Sequence, residues 1–433
     1  MKKLKWWGLV GLAAAGVALS GCGSSDSSSS ASLRLVNATI THPSLDLLIN
    51  STVSVSATAT DTASAYVSPA SGSNTLQLND AGAGTALATL VPTLTGGFHY
   101  TLMAYESGGN VKAVVLPEDI AAPTSGVTLR IYDAAIEAGK LDVYVTTNAC
   151  TNLSSNSATT SFGTLTAPAA VSLNQGAGTW NVCATAQGSK TDLRMSLPIT
   201  ITSQTVATVL MTPASGGALI NGALLTQQST YAATRNTNVR LRLAAAISGT
   251  SVPVLATATT SAGSVTIDPS GLPPALGFYT LVPASSALNV TVNSASVGAP
   301  STALVAGSDM TLLVYGSPST PALTLITDDN RPPTDSTTVK LRLINGVTSS
   351  SGSLTLTANS SLVATGVGPG TASAYASVPS STIATVLLFT STSSSGTFYS
   401  STAAGTSPIL SANGVYTVLL GNDSSAALQL LIQ

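Results

Sequence analysis

The sequence has few of the residues that usually carry catalysis or nucleic-acid binding. Of its 433 residues only 7% are charged and 4% are aromatic, and it contains two histidines and three cysteines. No basic cluster is available to neutralise phosphates, which disfavours nucleic-acid binding. With only His42 and His99, a histidine-rich metal site is excluded, and a Ser-His-Asp triad would have to use one of them. Since neither G-x-S-x-G nor H-E-x-x-H occurs, we expect two ordinary polar histidines and no enzyme activity.

Apolar residues, by contrast, are abundant. They make up 44% of the chain, which is more than a disordered protein usually has, so the high serine and threonine content does not indicate disorder. Removing residues 1–21 takes away three lysines and leaves a net charge of about −5. The remaining length suits about four domains of roughly 100 residues each.

Residues 1–31 have the pattern of an exported, lipid-anchored protein. Three lysines precede an apolar stretch of about 14 residues, a length typical of a signal-peptide core and too short for a bilayer span. The "LSGC" sequence ending at Cys22 resembles the lipobox of bacterial lipoproteins. That resemblance implies cleavage of a signal peptide, residues 1–21, and acylation of Cys22. An ordinary secretory signal with an incidental cysteine is the alternative.

The residues after Cys22 bear on where the protein is anchored. Gly23 stands where an aspartate would resemble the inner-membrane retention signal, so we expect the outer membrane. Residues 22–31 form a Ser-rich tether that reaches at most about 30 Å. The folded part would then lie close to the bilayer, and it would be either exposed on the cell surface or facing the periplasm.

Four stretches of the remaining chain begin alike, with an arginine between large aliphatic residues. These arginines are Arg34, Arg130, Arg242 and Arg342, about 100 residues apart. Alternating apolar and polar residues and turns rich in Gly, Ser, Asn and Pro are typical of short half-buried strands. We therefore predict an all-β protein of four tandem Ig-like antiparallel β-sandwich domains in a row. We call them units 1 to 4, and their predicted bounds are 32–124, 125–235, 236–335 and 336–433.

Further landmarks recur within the units. A tyrosine followed by a proline appears as Tyr66, Tyr279 and Tyr375, and unit 2 is degenerate there, with Phe162. We expect core or corner tyrosines rather than a sugar-stacking platform. A late apolar strand follows, for example "YTLMAYES" in unit 1, and polar links such as "TDDNRPP" separate units.

These landmarks resemble those of the domain of unknown function 4397 family. The features shared with it are the "LRL" start, the strands at 45–49 and 141–145, the Tyr-Pro segment, the late strand and the acidic exit with prolines. The resemblance extends over nearly the whole chain after the signal and is weakest in unit 2. Units 3 and 4 lack the aspartate found at Asp46 and Asp142. The resemblance implies a secreted or surface β-domain, often in tandem, with no assigned activity.

Two of the three cysteines, Cys150 and Cys183, lie in unit 2 near predicted strand ends. Because an exported domain folds under oxidising conditions, we predict a disulfide between them, with two buried free thiols as the alternative. A thiol catalyst is not expected, since no histidine lies in this unit.

The aspartates of the link between units 3 and 4 are weak candidates for a calcium site. Asp328 and Asp329 supply the hard oxygen ligands that calcium prefers, but their spacing fits no EF-hand loop. A solvated inter-domain turn is the favoured interpretation. We expect no cofactor.

The four arginines have a structural and a functional interpretation. As outward residues of edge strands they would oppose aggregation and pair with a neighbouring strand, with Asp46 or Asp142 as partner in units 1 and 2. A row of anion contacts is the functional alternative. We favour the structural one.

Together these features predict a non-enzymatic cell-envelope lipoprotein. It would meet the membrane through its lipid anchor and act in adhesion, envelope organisation or binding of an extracellular polymer or protein. A periplasm-facing spacer or accessory subunit is one alternative, and an enzyme with carboxylates at a domain junction is another.

Overall fold

A computed structural model describes residues 29–163, 165, 167–248, 252–267, 272–347, 352–392, 397–422 and 428–432. Within these ranges the chain is almost entirely β-structure, with a single-turn 3₁₀ helix at Ile136–Ala138. The predicted all-β, tandem-sandwich fold is confirmed. No helix of the described part is long and apolar enough to cross a membrane. The predictions for residues 1–28, Cys22 included, lie outside the described residues.

Unit 1 contains ten strands. They are β1 (Ser32–Asn37), β2 (Ser44–Ile49), β3 (Thr52–Ala59), β4 (Thr62–Ala63), β5 (Gly72–Ser73), β6 (Leu76–Asp80), β7 (Ala86–Leu90), β8 (Thr93–Leu94), β9 (His99–Ser107) and β10 (Asn110–Pro117). One sheet has the order β10-β9-β1-β4 and the other β3-β2-β6-β7, and β5 pairs with β8.

Unit 2 contains nine strands and the 3₁₀ helix. The strands are β11 (Val127–Asp133), β12 (Leu141–Thr146), β13 (Thr160–Phe162), β14 (Ala169–Gln175), β15 (Gly178–Ala186), β16 (Leu193–Ile201), β17 (Thr205–Pro213), β18 (Ile220–Thr226) and β19 (Tyr231–Thr234). The two sheets have the orders β14-β11-β17-β18-β19 and β13-β12-β15-β16.

Unit 3 repeats this plan. Its strands are β20 (Asn238–Ile247), β21 (Val254–Thr260), β22 (Gly263–Ile267), β23 (Ala275–Leu276), β24 (Thr280–Pro283), β25 (Ala287–Val292), β26 (Ala295–Gly298), β27 (Asp309–Ser317) and β28 (Thr320–Asp328). One sheet has the order β23-β20-β27-β28, with β24 also on β20, and the other β22-β21-β25-β26.

Unit 4 closes the described chain. Its strands are β29 (Thr338–Asn345), β30 (Leu354–Ala358), β31 (Ser361–Val367), β32 (Ala376–Pro379), β33 (Leu387–Ser391), β34 (Thr397–Ser400), β35 (Val415–Asn422) and β36 (Leu428–Ile432). The sheets have the orders β32-β29-β35-β36 and β31-β30-β33-β34. All strand pairings described in the four units join strands of the same unit.

Each sandwich core follows from the period-two pattern of its strands. In β16 the residues Leu193, Met195, Leu197, Ile199 and Ile201 are buried and the residues between them are not. The side chains of Met195, Leu197, Ile199 and Ile201 meet those of β11 and β17 from the facing sheet in one apolar cluster. Units 1, 3 and 4 have equivalent clusters of their own.

The first strand of each unit runs parallel to the late strand, while the other ladders are antiparallel. In unit 1, β1 pairs with β9 so that Ser32 lies opposite His99. The next strand, β10, runs antiparallel and ends with Pro117 opposite Tyr100. The chain therefore leaves unit 1 at the end where it entered. We call this the near end of a unit and the opposite one the far end.

Because of this path, units 1 and 2 lie side by side. The outer faces of the sheets that contain β1 and β11 pack together, and Val36, Met103, Tyr132 and Leu210 are among the buried residues between them. Units 3 and 4 repeat the arrangement, with Leu313, Ile344 and Leu419 in the corresponding cluster. We call units 1 and 2 the lower tier and units 3 and 4 the upper tier.

The extra strand β19 carries the chain from one tier to the other. It pairs antiparallel with β18, Leu225 opposite Tyr231, and thus runs back from the near end to the far end of unit 2. Just before it, the Ser229 carbonyl contacts Arg34. Just after it, Arg235 pairs with Asp61 at the far end of unit 1. Unit 3 therefore begins at the far end of the lower tier.

The two tiers touch end to end. The turn after β17 meets unit 3, where the Gly216 amide donates to the Gly307 carbonyl at 3.0 Å. The Asn330 amide of the link between units 3 and 4 donates to the Gly216 carbonyl at 3.2 Å. The expectation of four domains in a single row was wrong, because a chain that returns to the near end of each unit packs successive units side by side.

Candidate functional site

The repeated arginines lie in the contacts between units. Arg34 projects from β1, in the interior of its sheet, and is only 3% exposed. Its Nη2 donates to Glu118 Oε2 at 2.7 Å and its Nε to Thr101 Oγ1 at 2.9 Å. Its Nη1 donates to the Ser229 carbonyl of unit 2 at 2.6 Å. The guanidinium also lies 4.9 Å from the ring centroid of Tyr66, a distance typical of cation–π contacts.

Arg242 repeats this constellation in unit 3. Its Nε donates to Thr311 Oγ1 at 2.8 Å and lies 3.6 Å from Asp328 Oδ2. The guanidinium carbon stands 4.7 Å from the centroid of the Tyr279 ring. Its Nη2 donates to Thr417 Oγ1 of unit 4 at 2.9 Å, so this arginine joins two units just as Arg34 does.

Arg342 completes the contact from the side of unit 4. Its Nε donates to Thr417 Oγ1 at 3.1 Å, and its Nη2 donates to Asp328 Oδ1. Tyr375 lies 4.6 Å below the guanidinium. The Asp328 carboxylate is therefore held between two guanidinium groups, one from each unit of the upper tier, and it has no exposed side-chain surface.

Unit 2 has the arginine without the acid. Arg130 is half-buried, and among the described residues it makes no hydrogen bond or ion pair. The position that Glu118 and Asp328 hold after units 1 and 3 is taken by glutamines after β18. The side-chain amide of Gln228 donates to the Glu118 carbonyl at 3.0 Å. Unit 2 thus supports the ion pair of unit 1, while among the described residues its own Arg130 has no acidic partner.

Burial and the neighbouring charges shift the pKa values in these clusters. Burial raises the pKa of Tyr66, and the Glu118 carboxylate adds to the effect. The pKa of Tyr279 rises for the same reasons, with Asp328 as neighbour. Burial lowers the pKa of Arg342, but Asp328 and the neighbouring Tyr375 together outweigh burial, so that the pKa is raised. The tyrosines are therefore neutral and Arg342 is charged at neutral pH.

A further buried ion pair lies where the tiers meet. Arg240 Nη1 donates to Asp309 Oδ2 at 3.0 Å, and Asn330 Nδ2 donates to the same oxygen at 2.6 Å. Burial raises the pKa of Asp309, and Arg240 acts against that rise. A cleft of about 530 Å³ opens beside this pair, and its walls come from units 2, 3 and 4.

The expected location and partners of the arginines were wrong. The first strands are interior strands of their sheets, not edge strands. Asp46 accepts hydrogen bonds from the amides of Ala57 and Gly82, and Asp142 from Ser161 and the Gly188 amide. These aspartates close turns, whereas the arginine partners come from the ends of the last strands.

The calcium interpretation of the link after unit 3 is contradicted by its contacts. Asp328 faces two arginines, as described above. Asp329 pairs with Arg331 at 2.7 Å and with Lys340 at 2.7 Å. Since cations of the protein itself occupy both carboxylates, they do not converge as a ligand set, and the described residues contain no cluster of three metal-binding side chains.

The two histidines lie at opposite ends of unit 1. His42 Nδ1 is 2.7 Å from Asp80 Oδ1, and His99 Nδ1 is 3.2 Å from Asp119 Oδ1. The hydrogen bonds of the described residues bring no serine hydroxyl to either ring. Two separate His-Asp pairs without a nucleophile do not form a catalytic triad.

The predicted disulfide between Cys150 and Cys183 is present, with a Cα–Cα distance of 5.4 Å. Both half-cystines are buried together with Tyr144 and Leu193 on the outside of the second sheet of unit 2. Leu281 of unit 3 packs against this group. The disulfide therefore supports the surface that unit 2 presents to the upper tier.

One residue of the site was missed from the sequence. A threonine of the late strand stands opposite the arginine in every unit, and the pairs are Arg34–Thr101, Arg130–Thr208, Arg242–Thr311 and Arg342–Thr417. The signal was visible in the sequence, because each late strand has a threonine followed by Leu or Val at its third or fourth residue. Without the parallel register, nothing connected it to the arginines.

Comparison with known proteins agrees with the resemblance in the first part of the chain. A search of curated proteins found no match. Residues 31–144, which include all of the sheets of unit 1 and the start of unit 2, match the Domain of unknown function (DUF4397) family. The resemblance of the later units stays a prediction that rests on their sequence. Over residues 31–144 the chain is therefore similar to the DUF4397 family.

Proposed function

We propose that the protein is a non-enzymatic lipoprotein of the bacterial outer membrane, anchored through Cys22. Its four sandwiches would form one stiff body that presents its surface to an extracellular polymer or protein. The observation that carries this proposal is the use of buried arginines to fix one unit against the next, Arg34 through the Ser229 carbonyl and Arg342 through Asp328. A stiff stack of this kind suits adhesion or envelope organisation.

The rival enzyme hypothesis needs carboxylates free to act in a concave site. The cleft beside the tier contact offers Asp192, but this residue pairs with Arg194 at 2.7 Å. The neighbouring Asp309 pairs with Arg240, as described above. Because these acids of the tier contact are engaged with arginines, the geometry favours a binding body over a catalyst.

Protease treatment of intact cells tests the orientation of the proposed anchor. A tag is placed in unit 4 and followed after digestion, in the native protein and in two variants, Cys22→Ser and the matched control Ser24→Ala. We expect the tag to be lost from intact cells, and Cys22→Ser alone to abolish membrane attachment. A tag that survives until the outer membrane is permeabilised would instead support the periplasmic spacer or accessory subunit. Membrane attachment of Cys22→Ser would contradict the lipid anchor.

A further inference from the structure

The near end of unit 1 is the end that the tether approaches. The Gly97 amide donates to the Ser30 carbonyl at 2.9 Å, and the Ala31 amide donates to the Pro69 carbonyl at 2.9 Å. The first described residues are therefore held between the loops of this end. Eight residue steps separate Cys22 from Ser30, a reach of at most about 30 Å.

Three large apolar side chains are exposed at this same end. Val53 is 54% exposed, Val91 62% and Phe98 46%, and they are the exposed large apolar residues of unit 1. Val53 follows the turn between β2 and β3 and lies opposite Leu48. Val91 follows β7, and the Phe98 carbonyl accepts from the Ser32 amide at the start of β1. The three residues thus lie around the rim of one end of the sandwich.

Three loops of this end carry no charge. Residues 50–52, 68–75 and 91–98 contain no Lys, Arg, Asp or Glu. The near-end turns of unit 2 beside them, residues 175–178, 202–205 and 227–230, are equally free of charge. The link after β10 brings Glu118 and Asp119 to this end, where Glu118 is buried against Arg34 and Asp119 pairs with His99. The acids at the far end of unit 1 are Asp46, Asp61, Asp80 and Glu106.

An end with uncharged loops and a rim of apolar side chains suits the interfacial region of a bilayer, where charged groups would be costly and apolar ones are favoured. We propose that Val53, Val91 and Phe98 insert into the lipid surface to which Cys22 is anchored. This inference rests on the proposed lipid anchor. It adds an orientation, in which the lower tier stands on the membrane and the upper tier points away from it.

Tryptophan quenching tests the contact directly. The acylated full-length protein is reconstituted into phosphatidylethanolamine–phosphatidylglycerol vesicles that contain brominated lipid. Phe98→Trp is compared with Phe278→Trp, whose parent side chain is 68% exposed in the upper tier. Trp180, whose Nε1 donates to the Gly176 carbonyl in a near-end turn of unit 2, is present in both variants, and its quenching, measured in the protein without an added tryptophan, is subtracted. We expect brominated lipid to quench the tryptophan at position 98 by about half and to leave the one at position 278 unchanged.

Equal quenching at the two positions, or none at position 98, would overturn the inference. A tryptophan at position 98 that brominated lipid does not quench, but that an added protein shields from an aqueous quencher, would point to a protein partner. That result would also overturn the inference. Flotation of the same vesicles reports on the anchor separately. A protein that does not float contradicts the lipid anchor, whereas one that floats without quenching at position 98 contradicts the membrane-facing end alone.

A variant that removes the apolar rim provides the second measurement. Val53→Ser, Val91→Ser and Phe98→Ser together should leave the fold intact, because all three side chains are exposed. Quenching is then followed at a tryptophan placed at Thr95 in the same near-end loop. We expect its quenching by brominated lipid to fall at least twofold relative to the Thr95→Trp protein with an intact rim. Unchanged quenching would contradict a role for the rim.

Discussion

Arg342 of unit 4 donates a hydrogen bond to Asp328, the last residue of the final strand of unit 3. Arg242 of unit 3 approaches the same carboxylate from the other side at 3.6 Å. A single carboxylate without exposed side-chain surface therefore balances two buried guanidinium groups. In the lower tier Glu118 balances Arg34 alone, and unit 2 contributes backbone carbonyls in place of a second arginine.

Removing the shared carboxylate of Asp328 should lower the free energy of unfolding of the upper tier. Asp328→Asn leaves two buried cations without a counter-charge, and breaking a buried pair in this way costs about 3–5 kcal/mol. We expect a fall of that order in the free energy of unfolding of the upper tier, measured by urea titration. Asp335→Asn, on the same link, is the control, because Asp335 is exposed. Equal midpoints for the two variants would show that the shared carboxylate does not stabilise the contact.

Asp133 makes the stability of unit 2 depend on pH. Its side chain is fully buried at the end of β11, where Oδ1 accepts from the Ala135 amide at 2.8 Å and Oδ2 has no partner among the described residues. Burial raises its pKa to about 6, against the hydrogen bond from Ala135, which lowers it. An unfolded aspartate titrates near pKa ~3.9. Between about pH 4 and pH 6 the native state binds more protons, so stability falls as the pH rises.

Asp133→Asn should remove the loss of stability that the buried carboxylate causes as the pH rises. Asn37 and Asn345 occupy the same place in units 1 and 4, and their side chains accept from the amides of Thr39 and Val347. We expect the variant to be about 2–3 kcal/mol more stable at pH 7 and unchanged below pH 4, as the pKa difference requires. Urea unfolding at the two pH values measures it. A gain of equal size at both would contradict a titrating Asp133.

The disulfide of unit 2 should contribute measurably to its stability. Cys150 and Cys183 close a loop of 33 residues, for which loss of loop-closure entropy predicts about 3–4 kcal/mol. We expect the double variant Cys150→Ala, Cys183→Ala to unfold at correspondingly lower urea. A reducing agent should lower the midpoint of the native protein and leave that of the variant unchanged. If complete reduction of the disulfide left the urea midpoint of the native protein unchanged, this prediction would be contradicted.

The contact between tiers should depend on Gly216. A β-carbon there would overlap the backbone of Ser308 and Asp309 in unit 3. We expect Gly216→Val to separate the tiers, with a larger radius of gyration in small-angle scattering and an unchanged circular dichroism spectrum. Gly84→Val is the matched control, because open space surrounds that position. A radius unchanged by Gly216→Val would show that the tiers are held without this contact.

Much of each unit could be predicted from its own sequence. The period-two pattern indicated the strands, and the spacing of Arg34, Arg130, Arg242 and Arg342 indicated four repeats. The pairing of Cys150 with Cys183 followed from their presence in one exported domain. These predictions depend on local pattern and on the redox environment, both of which a single sequence contains.

The contacts between units could not be predicted in the same way. The partner of Arg342 is Asp328, which belongs to the preceding unit and had suggested a calcium site. An aspartate in a polar link has the same local pattern whether it binds a metal, faces water or pairs with an arginine. The pairing with an arginine becomes visible only with the parallel register, which places each late-strand threonine beside an arginine.

The segment from Thr226 to Arg235 looks like a polar linker in the sequence, yet it contains the strand β19. In every other described unit the chain leaves at the near end, where it entered. In unit 2 the strand β19 carries the chain from the near end to the far end. A protein built from such units would therefore lengthen by one tier of two units at a time, and each added tier would need one strand like β19. The number of such strands, rather than the number of repeats, would set how far the outermost domain stands from the membrane.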